Sequence, residues 1–303
     1  MGRLRVLTAL VLLPAASCHF PHQPVSRTLQ DGLQREVSLP SIPRRIVALA
    51  PSVTESLLAL GFGDRLVGVS DFCRPPEDLG PVARIGGLLN PNLEVIRSLH
   101  PDLLIATTSG NDPDLAGQAG ALGIPLYILH TPDIGSMLAG LEGLADALGD
   151  RPRGRQVTDE LRERLSVVAR RVHGRPRPRV LFIIWGDPLV VPGARAFLTD
   201  AISHAGGSSV TADAPAAHPT FSLEAAITRA PEVIVMTRDN AALAERLRSD
   251  PAWAGVEAVR AGRVGTIDEG IVQPGPGVVA GIEELARLFH PEVFNSPEAA
   301  EGN

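Results

Sequence analysis

Lysine is missing from this 303-residue chain, whose 28 lysine-plus-arginine positions are all arginine. That absence excludes a P-loop lysine, a Schiff-base lysine and a pyridoxal-phosphate enzyme. Each needs an amine that titrates or condenses, which a guanidinium cannot replace. Aromatic residues are scarce too, at eight Phe, two Trp and one Tyr, so a site built on stacked rings has few pieces to draw on. Positive charge is in deficit: the net charge is −6 and the pI about 5.8. Nucleic acid is therefore not expected as a partner, because phosphate neutralisation needs a basic face. Two cysteines, Cys18 and Cys73, lie too far apart in sequence to form a disulfide framework. What remains, 44% hydrophobic and 20% charged residues, describes a folded chain long enough for two domains with two cores.

Arg3 and Arg5 precede an apolar run from Val6 to Leu13, followed by Pro14, Ala15, Ala16, Ser17 and Cys18. A run of about eight residues is far short of the roughly 20 that span a bilayer, and the pattern is that of a signal peptide over residues 1–17. Small residues leading into Cys18 resemble a bacterial lipobox, with Ala15 where leucine is usual. This implies lipidation of Cys18 and anchoring to a membrane in the periplasm or at the cell surface. Plain secretion, with Cys18 buried or paired, is the other reading. Residues 18–43 are expected to be a tether leading into a strand.

From Arg44 onward short β-rich runs alternate with helical patterns. IVALA, RLVGVS, LLIAT and PLYIL read as strands, with helices ending near Leu60 and Gly123 and another over 134–148. Such alternation predicts βαβ units and a parallel sheet. Val157, Leu161, Leu165, Val168 and Val172 then recur at steps of four, four, three and four, an amphipathic helix of about 33 Å, the width of a domain. VLFIIW, EVIVM, VGTI and a helix over 277–289 form a second alternating block. The expected architecture is α/β: two Rossmann-like lobes, 44–150 and 175–294, joined by a backbone helix over 151–174, with 295–303 a disordered tail.

An internal echo accompanies this pattern. NLEVIRSLHPDLLIA at 92–106 aligns without a gap on SLEAAITRAPEVIVM at 222–236, with Leu93 and Leu223, Glu94 and Glu224, and Pro101 and Pro231 identical. Each copy reads as an N-cap, a short helix, a proline stop, an acid and a strand. Duplication and a common loop design both account for it. Elsewhere, Ser52 and Glu55 have capping-box spacing at the first helix, which would open at the strand ends where α/β folds bind ligands. Trp253 and Cys73 read as packing residues. The eight histidines are dispersed, without HxH or HExxH spacing or paired CxxC, so no protein-held metal site and no resident cofactor are expected. Neither a G-x-S-x-G elbow nor a G-x-G-x-x-G after the first strand is present, which weighs against a secreted two-lobe hydrolase or oxidoreductase.

The strings IVALAPSVTESLLALGFGDRLVGVSDFCRPPEDL and VARIGGLLNPNLEVIRSLHPDLLIA, with FSLEAAITRAPEVIVM, DPAWAGVEAVRAGRV and GIEELARLFHPEVF, resemble the helical-backbone substrate-binding proteins of ABC importers. Cobalamin-binding receptors are the nearest variety, and receptors for ferric siderophores and haem share the scaffold. The resemblance covers about residues 44–294. It implies a class III periplasmic binding protein, monomeric and not an enzyme, that holds cobalamin or a related corrinoid, or another metal chelate, between its lobes. It implies that Glu94 and Glu224, one per lobe, dock onto arginines of a two-fold symmetric permease dimer, although each alone also reads as a helix-start acid. Ligand contacts are implied at Phe72, Trp185, Phe221 and Asp268. At His218 and Gln273 the chain departs from the pattern, since cobalamin receptors often have a tryptophan at the first position and an arginine at the second. His218 then reads as a hydrogen-bond donor to the ligand, a ligand to its metal, or a plain loop histidine.

Overall fold

The computed structural model describes residues 26–294. The expected signal peptide, Cys18, residues 18–25 of the proposed tether and the tail at 295–303 lie outside the described residues. The described part begins with a hairpin rather than a single strand, β1 (Ser26–Gln30) paired antiparallel with β2 (Glu36–Pro40). Its turn is held by Asp31, which accepts backbone N–H bonds from Leu33 and Arg35 and pairs with the Arg35 guanidinium at 2.6 Å.

Next come β3 (Ile46–Ala48), α1 (Pro51–Ala59), β4 (Leu66–Val69), β5 (Ala83–Arg84), α2 (Leu93–Ser98), β6 (Leu103–Thr107), α3 (Leu115–Leu122), β7 (Leu126–Leu129) and α4 (Ile134–Ala147). The five strands β3 to β7 form one parallel sheet in the order β5-β4-β3-β6-β7. Residues in β3, β6 and β7 are buried throughout, as expected of short apolar strands covered on both faces. The hairpin turn covers the free edge at β7: Gly32 donates to the Ile128 carbonyl at 2.8 Å, and a side chain there would collide with β7 backbone. Pairing of this kind removes an exposed edge.

α5 (Arg151–Val172) starts on Asp150, whose side chain accepts from the Arg153 amide. Beyond it lie β8 (Arg179–Ile183), β9 (Trp185–Gly186), β10 (Leu189–Val190), α6 (Phe197–His204), β11 (Ser208–Ser209), β12 (Thr220–Phe221), α7 (Leu223–Thr228), β13 (Val233–Thr237), α8 (Ala241–Ser249), α9 (Glu257–Arg260), β14 (Val264–Ile267), α10 (Val278–Phe289) and α11 (Pro291–Phe294). β11-β8-β13-β14 make a second parallel sheet, and β12-β10-β9 a small antiparallel one. The fold is the expected α/β arrangement of two parallel-sheet lobes with a long helix between them.

Two expectations are corrected. A separate core for each lobe is not what forms. One apolar cluster runs from Val37 and Leu57 through Leu141, Leu161 and Ile202 to Phe289, continuous through both lobes, while smaller clusters fill the outer face of each sheet. The reason is α5. Gly154 allows it to approach α4 so closely that a β-carbon would sit 2.6 Å from that of Ala145, and buried Thr158 bonds Glu142. On the other lobe Arg164 makes a two-pronged ion pair with Glu283 of α10, at 2.8 and 3.0 Å. The capping box at α1 is also absent. Pro51 opens the helix and Ala50 precedes it without a side-chain cap, so the first orphan amide is removed by proline itself. Glu55 is thereby released to reach the other lobe.

The internal echo is structural as well. α2 is capped by Asn92 and α7 by Ser222. Both six-residue helices end on a left-handed residue before proline, His100 and Ala230, each at φ 47°. Asp102 then accepts from the Arg44 and Arg45 amides, and Glu232 from the Arg179 amide, fastening the next strand to its neighbour in each lobe.

Candidate functional site

The strand ends and loops of the two lobes enclose a cleft of two adjoining compartments, one of about 720 Å³ and one of about 650 Å³. Ile184 and Val272 line both and form the boundary between them. Behind each compartment a carboxylate joins the lobes. Glu55 of α1 accepts from the Gly277 amide at 2.7 Å, and Asp200 of α6 accepts from the Ile134 amide of α4 at 2.9 Å.

The larger compartment is acidic. Glu55, Asp239, Asp268 and Glu269 face it against a single Arg74. Burial pushes the Glu55 carboxyl up to about 7, the Gly277 N–H opposes that, and nearby Asp268 adds to it. Gly275 and Gly277 in the QPGPG loop are required here, since a β-carbon at either would come within 2.4 and 2.1 Å of the Glu55 oxygens. The smaller compartment has the opposite character: Arg195, His130 and His218 line it without a carboxylate. His130 Nδ1 pairs with Thr108 Oγ1 at 2.9 Å. Desolvation holds the His218 pKa below the usual histidine value, which leaves the ring neutral at pH 7.

Phe72 lines the larger compartment and is 64% exposed. Its loop is pinned beneath it by Arg84, which donates to the Ser70 and Cys73 carbonyls, so the ring is presented rather than packed. Gln273 and Asp268 face the same compartment. The Asp268 carboxylate already binds Arg238 at 2.9 Å and accepts from the Gly270 amide, which makes it a structural group at the cleft wall. Trp185 is 58% exposed, with its indole N–H donated to the Asp187 carbonyl, and it lines neither compartment, although its neighbour Ile184 lines both. Phe221 lines neither and packs with the outer cluster of its lobe, under the Arg229 guanidinium at 5.0 Å. Its strand β12 pairs with β10, which turns the ring into that cluster. Trp253 and Cys73 are buried as packing residues.

Glu94 and Glu224 are both exposed in the first turns of α2 and α7. Hydrogen bonds from its own amide and from Ser222 hold the Glu224 carboxyl below the usual range, keeping it charged. Sequence reasoning missed Arg195, His130 and Thr131, because nothing in their neighbourhood forms a motif. Glu55 was singled out for the wrong role. The paired glycines of QPGPG were the one signal of a close approach there. Among the described residues no group of three His, Cys, Asp or Glu side chains is placed to hold a metal ion, and no helix is long and apolar enough to cross a membrane.

Comparison with known proteins agrees with this layout. A vitamin B12-binding protein of Vibrio parahaemolyticus serotype O3:K6 is 26% identical over 250 residues, which is 81% of this chain and 89% of that one. The periplasmic haem-binding protein RhuT from Roseiflexus sp. RS-1, in its apo form, superposes with a TM-score of 0.74 at 26% identity, covering 82% of this chain and 99% of its own. The periplasmic vitamin B12 binding protein BtuF of Vibrio cholerae shares the fold, with a TM-score of 0.74 at 24% identity over 82% of this chain and 96% of that one. With two parallel-sheet lobes braced by one helix, a cleft between them, and a family match over residues 46–270, the chain belongs to the periplasmic binding protein family.

Proposed function

We propose that this protein is the extracytoplasmic receptor of an ABC importer, capturing cobalamin or a related corrinoid between its lobes and delivering it to the permease. The observation that carries this is the cleft itself, two joined compartments of about 720 and 650 Å³ opening beside an exposed Phe72. The vitamin B12-binding relative supports the ligand class. Residues 44–150 and 175–294 act as the two lobes, residues 1–17 as the export signal and Cys18 as the site of lipid attachment, holding a monomeric receptor at the membrane. A haem or ferric siderophore is the second reading, supported by His218 and Gln273 at positions where cobalamin receptors often have tryptophan and arginine, and by the haem-binding neighbour.

The cleft is braced by α5 and by one continuous core, so binding involves small lobe movements and a largely pre-formed site. Docking uses Glu94 and Glu224, which the internal echo places at equivalent helix starts as a symmetric pair for a symmetric partner. The test is thermal unfolding with cyanocobalamin, cobinamide, haem and a ferric siderophore. A true ligand at a hundredfold excess over its Kd adds about 2.7 kcal/mol to the folded state and raises the midpoint. No shift with any of them, together with turnover of an ester or nicotinamide substrate, refutes the receptor reading. Replacing Glu94 and Glu224 with Arg should abolish uptake while leaving ligand affinity intact, and undiminished uptake refutes docking through them.

A further inference from the structure

The smaller compartment contains a buried polar group without a partner. Thr131 is 3% exposed, its hydroxyl has no hydrogen-bond partner, and it lines this compartment. Its methyl group packs toward Gly140 of α4. A buried hydroxyl left unsatisfied costs about 1–3 kcal/mol, so such a group calls for a ligand atom.

The amino terminus of α6 meets the same space. Ala196, Phe197 and Leu198 line the compartment, and no side chain caps the helix. Asp200, the acid in its first turn, is turned to the Ile134 amide and to His204. Arg195 stands one residue before the cap and is held in place: its Nε donates to the Pro215 carbonyl at 2.9 Å, which aims the guanidinium. The loop beneath is cross-linked by Gly193 to the Ala217 carbonyl and Ala194 to the Ala214 carbonyl, both at 2.8 Å, and by Thr211 to the Pro192 carbonyl. Helix amides and an arginine around one space form an oxyanion receptor.

We propose that the smaller compartment is an anion subsite, in which Arg195, the α6 amides and the Thr131 hydroxyl receive one phosphate or carboxylate of the ligand while its ring system lies against Ile184 and Val272. Asp239 and Glu269 in the larger compartment repel the same group, so the ligand enters in one orientation. The imidazole of His218 supplies a further donor. This inference rests on the receptor reading and adds that the ligand must have an acidic arm.

Paired titrations of the full chain test it: cyanocobalamin against dicyanocobinamide, which lacks the phosphodiester arm, and haem against its dimethyl ester in matched dilute detergent. A charge-assisted hydrogen bond lost from a buried site predicts that the wild type prefers the acid-bearing member of one pair by about tenfold or more. Preference that depends on Arg195 identifies a phosphate arm in the first pair, whose members also differ by the ribose and benzimidazole, and a carboxylate arm in the second. Arg195→Ala, an exposed substitution checked for intact folding by circular dichroism, should reduce that preference to below about twofold. Thr131→Val should reduce it by a smaller factor. Equal wild-type affinity for both members of an accepted pair overturns the subsite and leaves the receptor reading standing, as does a preference that survives Arg195→Ala. Binding of neither pair removes both.

Discussion

Glu55→Gln isolates the electrostatic part of the contact between the lobes. The glutamine keeps an acceptor for the Gly277 amide at 2.7 Å and removes only the charge. Burial raises the carboxyl of Glu55 from 4.5 to about 7, a difference of about 3 kcal/mol between its two protonation states. The folded pKa lies above the unfolded one, so this contribution to stability is fully present below about pH 4.5. It is lost as pH rises through about 7, because the unfolded chain releases the proton first. The variant has no such loss. Urea unfolding of both proteins from pH 4.5 to 8.5 should give similar stabilities at the acid end. Above pH 7.5 the variant should be more stable by up to about 3 kcal/mol, and groups common to both proteins cancel in the difference. For a chain of this size that corresponds to roughly 5 °C in midpoint. A difference that stays flat across the range refutes the reasoning, because the carboxyl would then be ionised and solvated in the folded state.

Gly193→Ala places a β-carbon 2.0 Å from the Ala216 carbonyl oxygen and 2.8 Å from that of Ala214. Backbone cannot yield as a side-chain end does, so a loss of about 1–3 kcal/mol is expected by denaturant unfolding, with weaker binding of an acid-bearing ligand as Arg195 moves. Ala230→Gly and His100→Gly each relieve a left-handed residue at φ 47° and should each stabilise by up to about 1 kcal/mol, measured by urea midpoint. Destabilisation by both would contradict the equivalence of the two helix ends. Trp253→Ala removes a 2% exposed ring from the outer cluster of its lobe and should cost about 3–5 kcal/mol in thermal or urea unfolding.

Elements were legible where a local pattern suffices to make them. β6 and β14 occupy the LLIAT and VGTI runs, and α5 covers 151–172, because apolar period and proline or glycine punctuation act within a few residues. The echo at 92–106 and 222–236 was legible for the same reason. It extends to the backbone at His100 and Ala230, where proline follows a left-handed cap. The packing of Phe221 was not legible, because its position beside a family motif says nothing of the face it takes, and pairing of β12 with β10 decides that. The hairpin at 26–40 was only half legible, since its turn is fastened by β7, about a hundred residues later.

The sequence by itself determined the alternating strands and helices, the long helix, the two matched glutamates at helix starts, and a chemistry without lysine. All of these follow from composition and from spacing along the chain. Only the tertiary structure decided the cleft. It merged two expected cores into one, moved Glu55 from a cap to the opposite lobe, and divided the charges into an acidic compartment and a basic one. It also left the buried Thr131 hydroxyl without a partner in the wall of the compartment that Arg195 and the amino end of α6 line. Those outcomes depend on desolvation and on distances between residues tens to hundreds of positions apart. Such quantities exist only once both lobes are packed against the same helix.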